Sequence, residues 1–140
     1  MGSQSSVHVL VHITWSTRFR SRCLPDSLDG RLASLFQHQA ASLGCPWLAA
    51  GIAPDHVHVL VQLPPTLALA TLVQHLKGAS AHTIHRESWL SQPLRWQNGY
   101  WAASVDPYDF QGLLDYLAQQ RIHHNYDVDL SSSPAVTISK

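Results

Sequence analysis

Strand-like and helix-like hydrophobic patterns alternate along this chain in an order that leaves few folds open. Strands are predicted where apolar and polar residues alternate, and helices where apolar residues recur every three or four positions. The predicted strands cover 7–15, 46–53, 56–62 and 95–105, and the predicted helices cover 25–43, 67–87 and a segment beginning at Pro107. The order β-α-β-β-α-β-α is that of a ferredoxin-like split βαβ unit with one appended helix. We therefore predict an α+β fold with a four-stranded antiparallel sheet, two helices on one face and a further C-terminal helix.

The length and composition indicate one folded domain. The chain has 140 residues, of which 45% are hydrophobic, so a disordered chain is excluded. We place a single domain at 1–140, with an ordered core of about 7–125 and a flexible, Ser-rich tail at 126–140. No apolar stretch approaches the ~20 residues of a transmembrane helix, so we expect no membrane contact.

The charge balance and the cysteines do not indicate a particular partner. Nine Lys and Arg balance nine Asp and Glu, which gives no support to a nucleic-acid partner, because phosphate binding usually appears as a basic excess. Ten histidines qualify this balance, since some can protonate near neutral pH. Cys23 and Cys45 lack a CxxC spacing and are expected to be reduced thiols in a cytoplasmic protein.

Two histidines in the third predicted strand are the first candidate for a functional site. Residues i and i+2 of a strand share a face, so His56 and His58 point one way, whereas Val57, Val59 and Val61 point to the core. On the polar face of a strand the pair is either half of a metal site or simply two exposed or hydrogen-bonded histidines, because two ligands do not complete a metal site. The other histidines, His12 among them, receive no role.

The last predicted helix carries a second candidate. Tyr116 and Gln120 are four residues apart, so they share a helix face. A tyrosine has a solution pKa of about 10 and is a poor nucleophile at neutral pH, but a nearby cation lowers that barrier. Taken alone, Tyr116 is equally an aromatic at the edge of the core, and Gln120 is a solvated helix residue.

The residues together resemble a known family, the single-tyrosine HUH transposases of the insertion sequence 200/605 type, with their REP-associated relatives. The resemblance runs from about residue 7 to residue 124 and rests on ordered matches at 15–20, 55–61, 63–65, 76–78, 96–101 and 116–120. It implies that His56, His58 and Gln120 bind Mg²⁺ or Mn²⁺, with Gln119 as the alternative third ligand if the helix is irregular. It also implies that Tyr116 attacks a DNA phosphate, forms a 5′-phosphotyrosine link and frees a 3′-hydroxyl that later rejoins the DNA.

The resemblance further implies single-stranded DNA partners, in particular hairpins at the ends of the element, and a homodimer in which active sites are shared in trans. Candidate contacts to the DNA backbone are basic residues, namely Arg18, Arg20, Arg22 and Lys77. Three tryptophans are candidates for stacking on unpaired bases, although each is also a natural core residue: Trp15, Trp96 and Trp101.

Three alternatives stay open at this point. A non-catalytic single-stranded nucleic-acid binder on the same fold needs neither metal nor tyrosine. A domesticated REP-associated relative is a variant of the main interpretation, although Gln119-Gln120 stands where those relatives usually carry Asn-Pro. A metal-dependent hydrolase would use His56 and His58 with water as the nucleophile.

Overall fold

The computed structural model describes residues 6–119, which form a ferredoxin-like α+β fold. The regular elements, in chain order, are β1 Leu10–Ser16, α1 Asp29–Ser42, β2 Trp47–Ile52, β3 His56–Gln62, α2 Leu69–Arg86, β4 Trp101–Ser104 and α3 Phe110–Ala118. The predicted fold class and element order are confirmed. The proposed tail at 126–140 and the outer ends of the proposed domain lie outside the described residues.

The sheet is antiparallel throughout, with strand order β2-β3-β1-β4. Strands β1 and β3 are therefore central, and each is paired on both sides. Directly opposite residues share a face of the sheet, and Thr14 of β1 lies opposite His58 of β3. His12, two residues before Thr14, lies on the same face as Thr14 and His58, because side chains alternate along a strand.

Helices α1 and α2 pack on one face of this sheet. Val57, Val59 and Val61 of β3 point into their hydrophobic cluster, as the alternation predicted. Other buried members of this cluster are Ile13, Trp15, Leu32, Phe36, Leu72 and Leu76. This cluster is the main core of the molecule.

Helix α3 covers the opposite face. Leu113 and Leu117 pack with Leu60 of β3 and with Val105, which follows β4. The predicted C-terminal helix is thus α3, and it covers part of the face opposite α1 and α2. Every residue of β3 except the last is buried, because both faces of the strand are covered.

The fourth strand is shorter than predicted. It contains four residues, whereas the pattern predicted strand over 95–105, and Trp96 makes only an isolated bridge to Thr17. Between Trp96 and β4 the chain turns at Gly99, whose φ of 88° would be strained for other residue types.

In the part of the chain covered by 6–119, no helix has the length and apolarity required to cross a membrane.

Candidate active site on the face covered by helix α3

His56 and His58 lie side by side on the α3 face of β3. Their ring centroids are 4.9 Å apart, and the ring planes are inclined at 77°. The prediction that they share a face is confirmed, and of the exposed and hydrogen-bonded alternatives for the pair, the structure shows the hydrogen-bonded one. His56 is 5% exposed and His58 is fully buried, because α3 docks over this side of the sheet.

The imidazole of His56 is held by the residue before it. Asp55 accepts a hydrogen bond from Nδ1 of His56 at 2.7 Å, and its second carboxylate oxygen lies 3.4 Å from Nε of Arg20. Burial would raise the pKa of Asp55, but the hydrogen bond from His56 and the electrostatic attraction of His56, Arg20 and Arg22 outweigh it, so the pKa lies below its ordinary value. A buried, ionised carboxylate thus fixes which nitrogen of His56 carries the proton.

The imidazole of His58 is held from the other side by His12. Nδ1 of His58 lies 2.9 Å from Nε2 of His12, and both rings are fully buried. Burial lowers the pKa of His12 to about 4, so this ring is neutral at neutral pH. Trp101 meets His12 edge-on, with ring centroids 5.4 Å apart, and restricts its orientation.

Tyr116 reaches the same face from α3. Its ring centroid is 5.7 Å from that of His58, with the planes at 84°. Leu113 and Leu117, one turn before it and one residue after it, are buried against the sheet and set the rotation of the helix. The tyrosine and the histidine pair therefore meet within one chain. The predicted third ligand, Gln120, lies just outside the described residues.

The histidine pair has the chemistry of a metal-ligand pair. Because Nδ1 of each ring is engaged by Asp55 or His12, Nε2 is the nitrogen through which each ring could coordinate an ion. Histidines that bind metals commonly have their second nitrogen held in this way. Within residues 6–119, His, Cys, Asp and Glu form no group of three that could hold a metal, so further ligands must come from elsewhere.

The basic loop after β1 lies next to this site. Arg18, Arg20 and Arg22 are all exposed to a substantial extent, but Arg20 is paired with Asp55, so Arg18 and Arg22 are the better candidates for an external contact. Phe19, between them, is 82% exposed and has a φ of 60°. The guanidinium of Arg18 lies 4.9 Å from the centre of its ring. An exposed aromatic ring on a strained backbone is unusual for a residue without a binding role.

Lys77 makes hydrogen bonds within its own chain. Its Nζ donates to the backbone carbonyls of Gln97 at 2.7 Å and Gly99 at 3.1 Å, and burial lowers the pKa of this lysine. The lysine therefore holds the turn before β4. Whether it also contacts DNA stays a prediction.

The three tryptophans have different positions. Of the two interpretations of Trp15, the core position is confirmed, since its side chain is 3% exposed and packs edge-on against Phe36 in the main core. Trp96 is partly buried and donates to Ser80 at 2.9 Å. Trp101 is partly exposed and is the tryptophan that lies on the site face, against His12.

Comparison with known proteins identifies the family. A family model described as "Transposase IS200 like" matches residues 5–120, which is most of the chain. The chain belongs to the IS200-like transposase family. The predicted resemblance is confirmed, and the histidine pair and Tyr116 lie inside the matched region.

Individual relatives agree with this membership. The ISDra2 transposase TnpA of Deinococcus radiodurans is 32% identical over 73 residues, and the match spans about half of that relative, 52% of its length and 52% of this chain. A crystal structure assigned as a transposase from Deinococcus radiodurans R1 has 25% identity and a TM-score of 0.67, and covers 86% of this chain and 97% of that one. A REP-associated tyrosine transposase bound to a REP hairpin shares the fold, with a TM-score of 0.63, 18% identity, and coverage of 96% and 81% of the two chains.

Three residues of this family member's site escaped the sequence analysis. Asp55 was noticed only as part of a motif, although a carboxylate next to a buried histidine is a natural partner for it. Phe19 was passed over inside the basic loop. His12 received no role because its bond to His58 depends on the register between β1 and β3, and nothing in the local sequence reports that register.

Proposed function

We propose that this chain is a metal-dependent transposase that cleaves and rejoins single-stranded DNA through a 5′-phosphotyrosine at Tyr116. One observation carries the proposal. The ring of Tyr116 lies against His58, on the sheet face where two histidines have their Nδ1 atoms held by buried partners. A nucleophile beside a prepared ligand pair is the arrangement that metal-assisted transesterification requires.

The ligand set proposed for Mg²⁺ or Mn²⁺ is His56, His58 and Gln120, with DNA phosphate oxygens completing it. Mixed imidazole and oxygen ligands suit these ions under cellular conditions. When bound, the ion supplies Lewis-acid polarisation and orientation of the scissile phosphate. Asp55 and the fold of β3 keep the two rings in place before any ion or DNA arrives.

The covalent step falls to Tyr116. Its hydroxyl oxygen attacks phosphorus and loses its proton to solvent. The bond from phosphorus to the 3′-oxygen breaks, and the leaving 3′-oxygen takes up a proton from solvent to become a hydroxyl. The phosphodiester is exchanged rather than hydrolysed, so a 3′-hydroxyl can reverse the step and join a different strand. The partly buried position of Tyr116 limits competition from water at the linkage.

We place the DNA along the basic loop and the α3 face. Arg18 and Arg22 are exposed and suited to phosphate contact, and Lys77 lies beside the turn at 97–99. A hairpin substrate is supported by the family and by the hairpin seen with one protein of the same fold. We also propose a homodimer. The contact of Tyr116 with His58 within one chain supports a state that is active in cis, alongside any exchange of helices in trans.

A denaturing gel tests the covalent step. The protein is incubated with Mn²⁺ or Mg²⁺ and with end-labelled single-stranded DNA that carries the palindromic flank of its own element. We expect a protein–DNA adduct that disappears in Tyr116→Phe and His56→Ala and in EDTA. Matched controls are Tyr108→Phe and His85→Ala, which alter exposed residues that the proposed mechanism does not use and should leave the adduct intact.

The other outcomes identify the alternatives. Cleavage with free ends and no adduct would indicate a metal-dependent hydrolase. DNA binding that is unchanged in Tyr116→Phe, without any cleavage, would indicate a non-catalytic binding protein. An adduct that forms only with chromosomal repeat hairpins would indicate a domesticated REP-associated enzyme.

A further inference from the structure

His12 is a buried polar residue that the proposed mechanism does not yet use. It lies in β1, at the centre of the sheet, and its ring is fully buried between His58 and Trp101. Burying an imidazole costs free energy unless its nitrogens are hydrogen-bonded. The polar contact that the structure gives it is the 2.9 Å bond between its Nε2 and Nδ1 of His58.

That bond has a direction, and the direction decides what His58 can do. If the proton lies on Nε2 of His12, then Nδ1 of His58 accepts, and neutral His58 carries its own proton on Nε2, where it cannot bind an ion. If the proton lies on Nδ1 of His58, then Nε2 of His58 presents a lone pair to the site. Nδ1 of His12 has no hydrogen-bond partner among residues 6–119, so it carries an unpaired lone pair in the first case and an unpaired N–H in the second.

The surroundings explain why an imidazole stands here rather than a carboxylate. Asp55 plays the equivalent part for His56, but it lies at the edge of the site, where Arg20 offsets its charge. His12 is enclosed on a central strand, beside an aromatic ring and one position from the fully buried Ile13. A neutral acceptor avoids the desolvation cost that an unpaired carboxylate would meet in that position.

We infer that His12 is a positioning residue that accepts the Nδ1 proton of His58 and so directs Nε2 of His58 toward the divalent ion. This inference rests on the proposed metal site. It gives the two ligands different supports, a charged carboxylate for His56 and a neutral imidazole for His58.

The test compares two substitutions of the same residue. His12→Leu removes the acceptor, whereas His12→Gln places a carboxamide oxygen where Nε2 was. Mn²⁺ affinity is measured by electron paramagnetic resonance without DNA, so that catalysis does not enter. We expect His12→Leu to weaken binding by about 10–100-fold, the usual effect of losing the partner of a metal-binding histidine. His12→Gln should stay within a few-fold of the wild type.

Ile13→Val is the matched control. Ile13 is the next residue of β1, fully buried, but on the opposite face of the sheet. The substitution should lower stability by about 0.5–1.5 kcal/mol without changing ion affinity. If His12→Leu binds Mn²⁺ as tightly as the wild type, or if His12→Gln is as weak as His12→Leu, the inference is overturned.

A second measurement needs no variant. In ¹⁵N-labelled wild-type protein loaded with Mg²⁺, a scalar coupling across the hydrogen bond should join Nδ1 of His58 to Nε2 of His12, with the proton attached to His58. A proton attached to His12 overturns the inference even if His12→Leu fails to fold. The proposed function fails separately, through the absence of a Tyr116 adduct in a protein that still binds the ion.

Discussion

Removing one leucine from beneath α3 should loosen the helix that carries Tyr116 before it unfolds the domain. Leu113 is fully buried against Leu60 and Val105, and with Leu117 it makes the apolar contact of a helix of only nine residues. A helix of that length is not stable alone in water, so its order depends on this docking. Leu113→Ala therefore acts on the attachment of the helix.

The expected loss of stability follows from the complete burial of Leu113. Leu→Ala removes three carbon groups at about 0.8 kcal/mol each, and the remaining cavity brings the total to about 3 kcal/mol. Since each 1.4 kcal/mol is a factor of ten, the backbone amides of α3 should exchange with solvent about 100-fold faster. Native-state hydrogen exchange, followed by mass spectrometry on peptides from α3, α1 and α2, measures this directly.

Leu32→Ala is the control, because Leu32 is equally buried but lies on α1, in the main core. It should lower the free energy of global unfolding in urea by a similar amount and accelerate exchange in α1 and α2, but leave exchange in α3 unchanged, because α3 opens without unfolding the main core. The reasoning is refuted if Leu32→Ala accelerates exchange in α3 as much as in α1 and α2, since α3 would then open only with the rest of the domain. An unchanged urea midpoint would contradict the burial of Leu113 itself.

Three further outcomes test other parts of the structure. Phe19→Ala should weaken binding of single-stranded DNA, measured by fluorescence anisotropy, by about 1–3 kcal/mol, the usual value for one base stacked on an aromatic ring, whereas Tyr108→Ala, which removes another highly exposed ring, should not. Lys77→Met should cost about 1.5 kcal/mol in urea unfolding, the low end for hydrogen bonds to charged groups because this side chain is only half-buried, and an unchanged midpoint would show that the turn at 97–99 holds without it. Cys45 is 2% exposed and burial raises the pKa of its thiol, so in the native protein a thiol reagent should modify Cys23 first and Cys45 only as the chain unfolds; equal rates would contradict the packing.

The alternation of apolar and polar residues along the strands predicts which face of the sheet most of their side chains occupy. It placed His56 and His58 on one face and the valines of β3 on the other, as observed. The same parity puts Trp15 on the side of Ile13, so its place in the core was already readable from β1. The fourth strand was overestimated because its aromatic residues favour strand while Gly99 turns the chain.

The site needed information that periodicity does not contain. The burial of His58 depends on α3 folding back over the sheet, which is a tertiary event. The bond from His12 to His58 depends on the register of β1 against β3, and a shift of one residue would send His12 to the other face. Family resemblance supplied Tyr116 as the partner of the histidines, whereas the spacing on its own helix showed only a shared face with Gln120.

The elements that carry the site differ in how firmly they are held. His12, His56 and His58 stand on the two central strands, which are paired on both sides and covered on both faces. Tyr116 stands on a short helix near the end of the described chain, attached by two buried leucines. A ligand pair must keep its geometry to bind an ion, so a rigid support suits it. A nucleophile that becomes covalently linked to DNA must carry that strand to its new partner, so a support that opens at low cost suits it equally well. Leu113→Ala therefore probes the function as well as the fold: it should lower the yield of adduct and also weaken Mn²⁺ binding, because the proposed third ligand, Gln120, lies two residues after α3 in the sequence.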